Sequence, residues 1–278
     1  MASCLKYLVV MDPDAPQQFA LTRAVSLANH SGASVVAFAC CYLDEQSLLH
    51  FNSRHEAKHD ARQRLEQWIY NQTSQLHGRT RISCESAWNE DCVTTACLRA
   101  QHHDACMMFL DRQCREPLQR WLDQAPTPLY LTAESEEMTG GHPVLASIFP
   151  RCDDDIHTAL NHNVLATACN LAEDTGRYLN LVCALDEREA IAEHLGFDYL
   201  ENLDTVQLAI AQQYGVDPAR IHLQLGPPCS VISDWAGQLS AAVLVVGNSK
   251  GKSFTATLLG CMAERLLEKY PGDLLVVN

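Results

Sequence analysis

One internal repeat constrains the fold of this chain more than any other feature. Leu21, Ala24, Val25 and Ala28 fall at i, i+3, i+4 and i+7, the apolar stripe of a helix lying on a core. Adding 144 to each number gives Leu165, Ala168, Cys169 and Ala172, the same stripe. The same shift carries Gly32, a helix C-cap candidate, onto Gly176. It also carries Ser26-Leu27-Ala28 onto Asn170-Leu171-Ala172. A β-run follows in both places, Ser34 to Tyr42 and Tyr178 to Leu185. At a shift of 145, Pro126-Thr-Pro-Leu-Tyr-Leu131 matches Pro271-Gly-Asp-Leu-Leu-Val276. These matches predict a duplicated domain.

Each half reads as alternating strands and helices. The first predicts strands at Leu5–Met11, Val35–Cys41, Arg81–Ser86, Ala105–Leu110 and Leu129–Leu131. Helices near 16–30, 55–76, 90–102 and 115–124 separate them. The second predicts strands at Val144–Phe149, Leu179–Ala184, Ile221–Leu225, Val243–Val246 and Leu274–Val277. Its helices fall near 155–175, 199–215, 229–240 and 255–269. Apolar strands joined by helical crossovers imply parallel sheets covered on both faces. The expected fold class is therefore α/β, with two tandem doubly wound parallel-sheet domains at 1–134 and 141–278. The polar, glycine-terminated stretch Glu134 to Gly141 is the expected linker.

A net charge of -14 argues against nucleic acid, because no basic run segregates charge to meet a phosphate backbone. The longest aliphatic run, Ala241 to Val246, is strand-sized, so no membrane span is expected. Asp12 interrupts the apolar start before a signal-peptide core forms, which argues against export. Thirteen scattered cysteines with no Cys-x-x-Cys pair fit a reducing cytoplasm, with most thiols expected as small core hydrophobes.

In open parallel sheets, ligands bind beyond the carboxyl ends of strands where strand order reverses. The most informative end is Val243 through Gly247-Asn248-Ser249-Lys250-Gly251-Lys252-Ser253. It leads into a helical stretch, Phe254 to Tyr270, with Leu259, Met262, Ala263 and Leu266 as its buried stripe. Glycines there let backbone N–H groups approach an anion, and the helix start adds a favourable dipole. Lys250 and Lys252 supply local positive charge; the plainer alternative is a tight turn with solvated lysines.

Three catalytic patterns fail on context. Gly247 to Gly251 fits G-x-S-x-G, yet that mechanism needs a histidine after the serine, and the last one is His222. Gly247 to Ser253 is one residue short of a P-loop. His55-Glu56-Ala57-Lys58-His59 satisfies H-E-x-x-H, but it lies on a helix charged throughout and reads as a solvated face. No metal is expected there beyond adventitious binding. Asp12 ends the first strand, where it could accept from an adenine or ribose group or cap the helix expected near Ala15.

Taken together, the pattern resembles the universal stress protein family in its tandem two-domain form, over essentially the whole chain. The anchor is Val245-Val246-Gly247 through Gly260-Cys261-Met-Ala-Glu264, closing in Gly272 to Val277. Nucleotide-binding members carry G-x2-G-x9-G-[ST] at this place. Gly247 and Gly260 keep the outer spacing; Lys250 takes the middle glycine position, and Cys261 replaces the hydroxyl. The first half keeps an acid, Asp12, but its fourth strand runs into Asp111-Arg-Gln-Cys114 with no glycine loop. The second half has the loop but ends its first strand in Ile148-Phe149-Pro150 without the acid.

The resemblance implies an adenine nucleotide alpha-hydrolase-like fold in a cytoplasmic protein with a regulatory or protective role and at most weak ATP hydrolysis. The second domain is the expected nucleotide site, for ATP or AMP, formed by Gly247, Asn248, Lys250, Gly251, Lys252, Ser253, Gly260 and Cys261. The alternative is a scaffold that binds protein partners and no nucleotide. Because single-domain members commonly dimerise, the halves are expected to pack as a pseudo-dimer through their last strands, and further dimerisation stays open.

Overall fold

The computed structural model describes residues 5–76, 78–134, 141–149, 155–185, 203–248, 263 and 265–278. They form two compact units, Met1–Glu136 and Glu137–Asn278.

In the first unit, β1 (Lys6–Val10), β2 (Ser34–Cys41), β3 (Ile82–Trp88), β4 (Met107–Asp111) and β5 (Leu129–Thr132) form a sheet ordered β3-β2-β1-β4-β5. Every pairing is parallel. Crossovers run through α1 (Phe19–Ser31), α2 (Glu45–Leu48), α3 (Arg54–Ser74), α4 (Cys92–His102) and α5 (Leu118–Gln124). The core is apolar strand packed on apolar helix stripe, with Leu8, Phe38, Ile69, Met108, Phe109 and Trp121 all but fully buried.

The second unit repeats the plan. Its strands β6 (Val144–Ser147), β7 (Leu179–Leu185), β8 (Ile221–Leu225), β9 (Val243–Gly247) and β10 (Asp273–Val277) follow the order β8-β7-β6-β9-β10, again parallel. Its described helices are α6 (Asp155–Thr175), α7 (Leu203–Tyr214), α8 (Pro228–Gln238) and a 3-10 turn, Pro218–Arg220. Ala263 and residues 265–269 are also helical. Of the stripe expected there, Ala263 and Leu266 are buried; Leu259 and Met262 lie outside the described residues.

The repeat seen in the sequence has a direct structural counterpart. Leu21, Ala24, Val25 and Ala28 are buried on α1, and Leu165, Ala168 and Ala172 on α6. Gly32 and Gly176 both adopt left-handed φ, at 73° and 63°. Each ends its helix with a capping bond: Gly32 N–H donates to Ala28 at 2.9 Å, and Arg177 N–H donates to Ala172 at 2.8 Å.

Two sequence expectations change. The first helix starts at Phe19 rather than 16, because residues 12–18 are held in a turn. Cysteines are also less buried than expected. Among the described residues, only Cys97 and Cys183 are core; Cys84 is exposed and the others are half-buried. Cys40 and Cys41 lie at the end of β2, and Cys92 and Cys229 in the first turns of α4 and α8.

Candidate functional site

Strand order reverses between β1 and β4 in the first unit and between β6 and β9 in the second, so each unit has its candidate mouth there. Registers make the two mouths comparable residue by residue. Tyr7 pairs with Met107 as Val144 pairs with Val243. Counting along the strands, Asp12 corresponds to Phe149, and Asp111 to Gly247. A backbone bond confirms the frame: Arg112 N–H donates to Thr132 at 3.0 Å, as Asn248 N–H donates to Val277 at 2.7 Å.

In the first unit, Asp111 is buried and its Oδ1 accepts the N–H of Ala20 at 2.8 Å. Helix α1 has no side-chain cap of its own, so a carboxylate from β4 satisfies one of its orphan first-turn donors. Asp12 does not cap α1. Its Oδ1 accepts the Asp14 N–H at 3.0 Å, closing a short turn, and the Gln18 amide grips its backbone on both sides. Negative charge collects at this mouth. Burial first, then Asp12 and Asp111, push the Cys114 thiol up to about 12.

The second mouth is built differently. Gly247 ends β9 directly beneath Leu160: an added Cβ would lie 2.7 Å from both Cγ and Cδ2. Helix α6 starts about two turns earlier than the α1 frame requires, and this extension carries Leu160, Asn161 and His157 over the strand ends. Asn161 is buried; it accepts the Phe149 N–H at 2.9 Å and donates to the Phe149 carbonyl at 2.8 Å. That grip mirrors Gln18 on Asp12. The Phe149 ring meets His157 edge-on at 4.8 Å between centroids.

Of the expected site residues, Gly247 and Asn248 are described, and both lie at this mouth. Asn248 is buried, its N–H is committed to Val277, and its Nδ2 donates to Asn278 Oδ1 at 3.1 Å. It therefore ties the end of β9 to the end of β10. Lys250, Gly251, Lys252, Ser253, Gly260 and Cys261 lie outside the described residues, as does Ser249.

His55 and His59 are exposed on α3. The Glu56 between them has a structural task. Ser53 Oγ accepts the Glu56 N–H at 3.1 Å while Glu56 Oε2 accepts the Asn52 N–H at 3.2 Å, a reciprocal cap of the helix start. Among the described residues, no group of three His, Cys, Asp or Glu side chains could hold a metal ion. No described helix is long and apolar enough to cross a membrane.

Sequence reasoning did not find the Asp111 cap, the paired Gln18 and Asn161 grips, or the Leu160 contact. A buried amide or acid next to a strand end was their only signal, and amides and acids are common in loops.

Fold and mouths define a duplicated, doubly wound α/β protein. Residues 155–278 match the Universal stress protein family. The whole chain is 24% identical to Universal stress protein E of Escherichia coli K12 over 304 aligned positions, covering 100% of this chain and 95% of that one. Among solved structures, it resembles a functionally unknown protein from Pseudomonas aeruginosa PAO1 at 21% identity and a TM-score of 0.72, covering 99% of this chain and 92% of the other. A universal stress protein from Archaeoglobus fulgidus DSM 4304 matches with a TM-score of 0.65 at 11% identity, covering 98% and 96%. The second unit thus matches the family's model, and over its whole length the chain is similar to a universal stress protein.

Proposed function

We propose that this protein is a cytoplasmic regulatory or protective stress protein whose second unit binds an adenine nucleotide weakly, without catalytic turnover as its purpose. The observation that carries this reading is the exchange of Asp111 for Gly247 at one register position. In the first unit a buried carboxylate occupies the place a phosphate would take, and it already satisfies the N–H at Ala20. Phosphate there would meet like charge. In the second unit that position carries no side chain, and the chain continues into Lys250, Gly251, Lys252 and Ser253.

Because Asn248 N–H is committed within the sheet, the phosphate contacts would fall to Lys250, Gly251, Lys252, Ser253, Gly260 and Cys261. Cys261 is a weaker donor than a hydroxyl, which keeps affinity modest. Phe149 replaces the acid expected to hold the nucleoside, so the base would be held by ring contact rather than by a carboxylate.

A second reading has its own observation. The extra turns of α6 place Leu160 and His157 over the mouth beside Phe149, which suits a scaffold acting through protein partners. Purified protein, denatured and analysed by chromatography for released nucleotide, separates the two. Saturable heat on titration with millimolar ATP supports the first, even where a weakly held nucleotide is lost before denaturation. No release, together with no heat on titration with millimolar ATP, supports the scaffold.

A further inference from the structure

Each mouth is occupied by a side chain of its own unit, and the two occupants differ in kind. In the first unit it is Asp111, whose carboxylate reaches the Ala20 N–H at the start of α1. In the second, Gly247 brings no side chain and Leu160 of α6 lies on it instead. A Cβ added at Gly247 would meet Leu160 Cγ and Cδ2 at 2.7 Å and Cδ1 at 3.1 Å. Leu160 is itself buried there.

A longer helix start brings Leu160 to this place. The amide that grips the end of the first strand lies six positions on in the first unit, Gln18 to Asp12, and twelve on in the second, Asn161 to Phe149. Helix α6 takes up the additional chain and spans Asp155–Thr175. At the shift of 144, Ala20 corresponds to Val164, which lies inside α6, so its N–H serves the helix and not the mouth.

A single side chain latches the extension. Asn161 accepts the Phe149 N–H at 2.9 Å, donates to the Phe149 carbonyl at 2.8 Å, and donates to the Tyr214 hydroxyl at 3.3 Å. These bonds fix Leu160, the residue before it. Of residues 155–161, only Leu160 and Asn161 are buried, and Ile156 in the first turn is exposed. A segment with so few buried contacts opens at a lower free energy than the core behind it.

Granted the reading of the second mouth as a nucleotide site, we infer that the first two turns of α6 are its autoinhibitory plug, with Leu160 the occluding side chain and Asn161 the latch. While Leu160 is seated, the backbone at Gly247 is covered by carbon, and a ribose or phosphate oxygen brought there loses water without gaining a hydrogen-bond partner. Nucleotide binds when these turns lift. Its apparent affinity is then the intrinsic affinity reduced by the fraction of open protein.

The test is calorimetric titration of ATP into full-length wild type, Leu160→Ala and Leu160→Met. Leu160→Ala should bind about tenfold or more tighter than wild type, the factor set by a plug that is closed about nine-tenths of the time or more. Leu160→Met refills the space and should bind like wild type. Hydrogen exchange on wild type alone decides the matter if Leu160→Ala does not fold: the amides of residues 159–164 should exchange faster at saturating ATP. Equal ATP affinity in wild type and a folded Leu160→Ala, or exchange that slows or stays the same with ATP bound, would overturn the plug and leave the nucleotide site standing. Absence of binding in every one of these proteins would overturn both.

Discussion

The carboxylate of Asp111 accepts the backbone N–H of Ala20 at 2.8 Å, across 91 residues of chain. In the second unit the same register position is Gly247, against which Leu160 lies directly. One exchange therefore sets the two mouths apart: a carboxylate that caps its own helix, or a bare backbone lying against Leu160.

Removing that cap should destabilise the first unit. Asp111→Ala leaves a buried N–H unsatisfied, at a cost of about 1–3 kcal/mol. Asp111→Asn keeps an acceptor oxygen and should lose less. Urea unfolding followed by tryptophan fluorescence checks this, since Trp68, Trp88 and Trp121 all lie in that unit. Equal losses for the two variants would show that hydrogen-bond acceptance is not what Asp111 contributes.

Gly247 and Leu160 should be energetically coupled. Gly247→Ala places a methyl 2.7 Å from Leu160 carbons, and such overpacking costs about 1–3 kcal/mol. Leu160→Ala opens a cavity and costs about 2–5 kcal/mol alone. The double variant should cost clearly less than the sum, because the alanine at 160 makes room for the new methyl. Additive losses would mean that the two residues do not touch.

Protonation of His222 should weaken the second unit in acid. Its ring stacks on Trp235 at 4.2 Å, its Nε2 meets Asn180 Oδ1 at 3.0 Å, and burial pulls its pKa below the ordinary value of 6.5. The unfolded state then binds the proton more readily. Stability is fully present above about pH 6.5 and falls as pH drops toward the lowered folded value. Urea midpoints of wild type and His222→Gln, compared at about pH 7.5 and 5.5, should show the larger acid loss in wild type. An identical pH dependence in both proteins would contradict it.

The duplicated, doubly wound fold was legible because helix stripes and apolar strands obey short-range periodicity, and because α1 and α6 kept a common shift. Element ends moved where tertiary contacts intervened. Gln18 holds Asp12 in a turn, so α1 starts at Phe19. The mouths were legible only in part. Gly247 and Asp12 stood out as types at strand ends, whereas Asp111 acts on Ala20 through the fold, and nothing in the local sequence announces a partner so distant. Reading the cysteines as core filler followed composition, which carries no position.

The central claim is that one nucleotide binds per chain, in the second unit. Its most direct measurement is calorimetric titration of ATP into full-length wild type, Gly260→Val, Cys261→Ser and Asp111→Asn. We expect weak binding at one per chain in wild type, lost when a branched side chain fills position 260, strengthened when Cys261 is replaced by serine, and unchanged in Asp111→Asn. Undiminished binding in a folded Gly260→Val protein, or two nucleotides per chain, would contradict it.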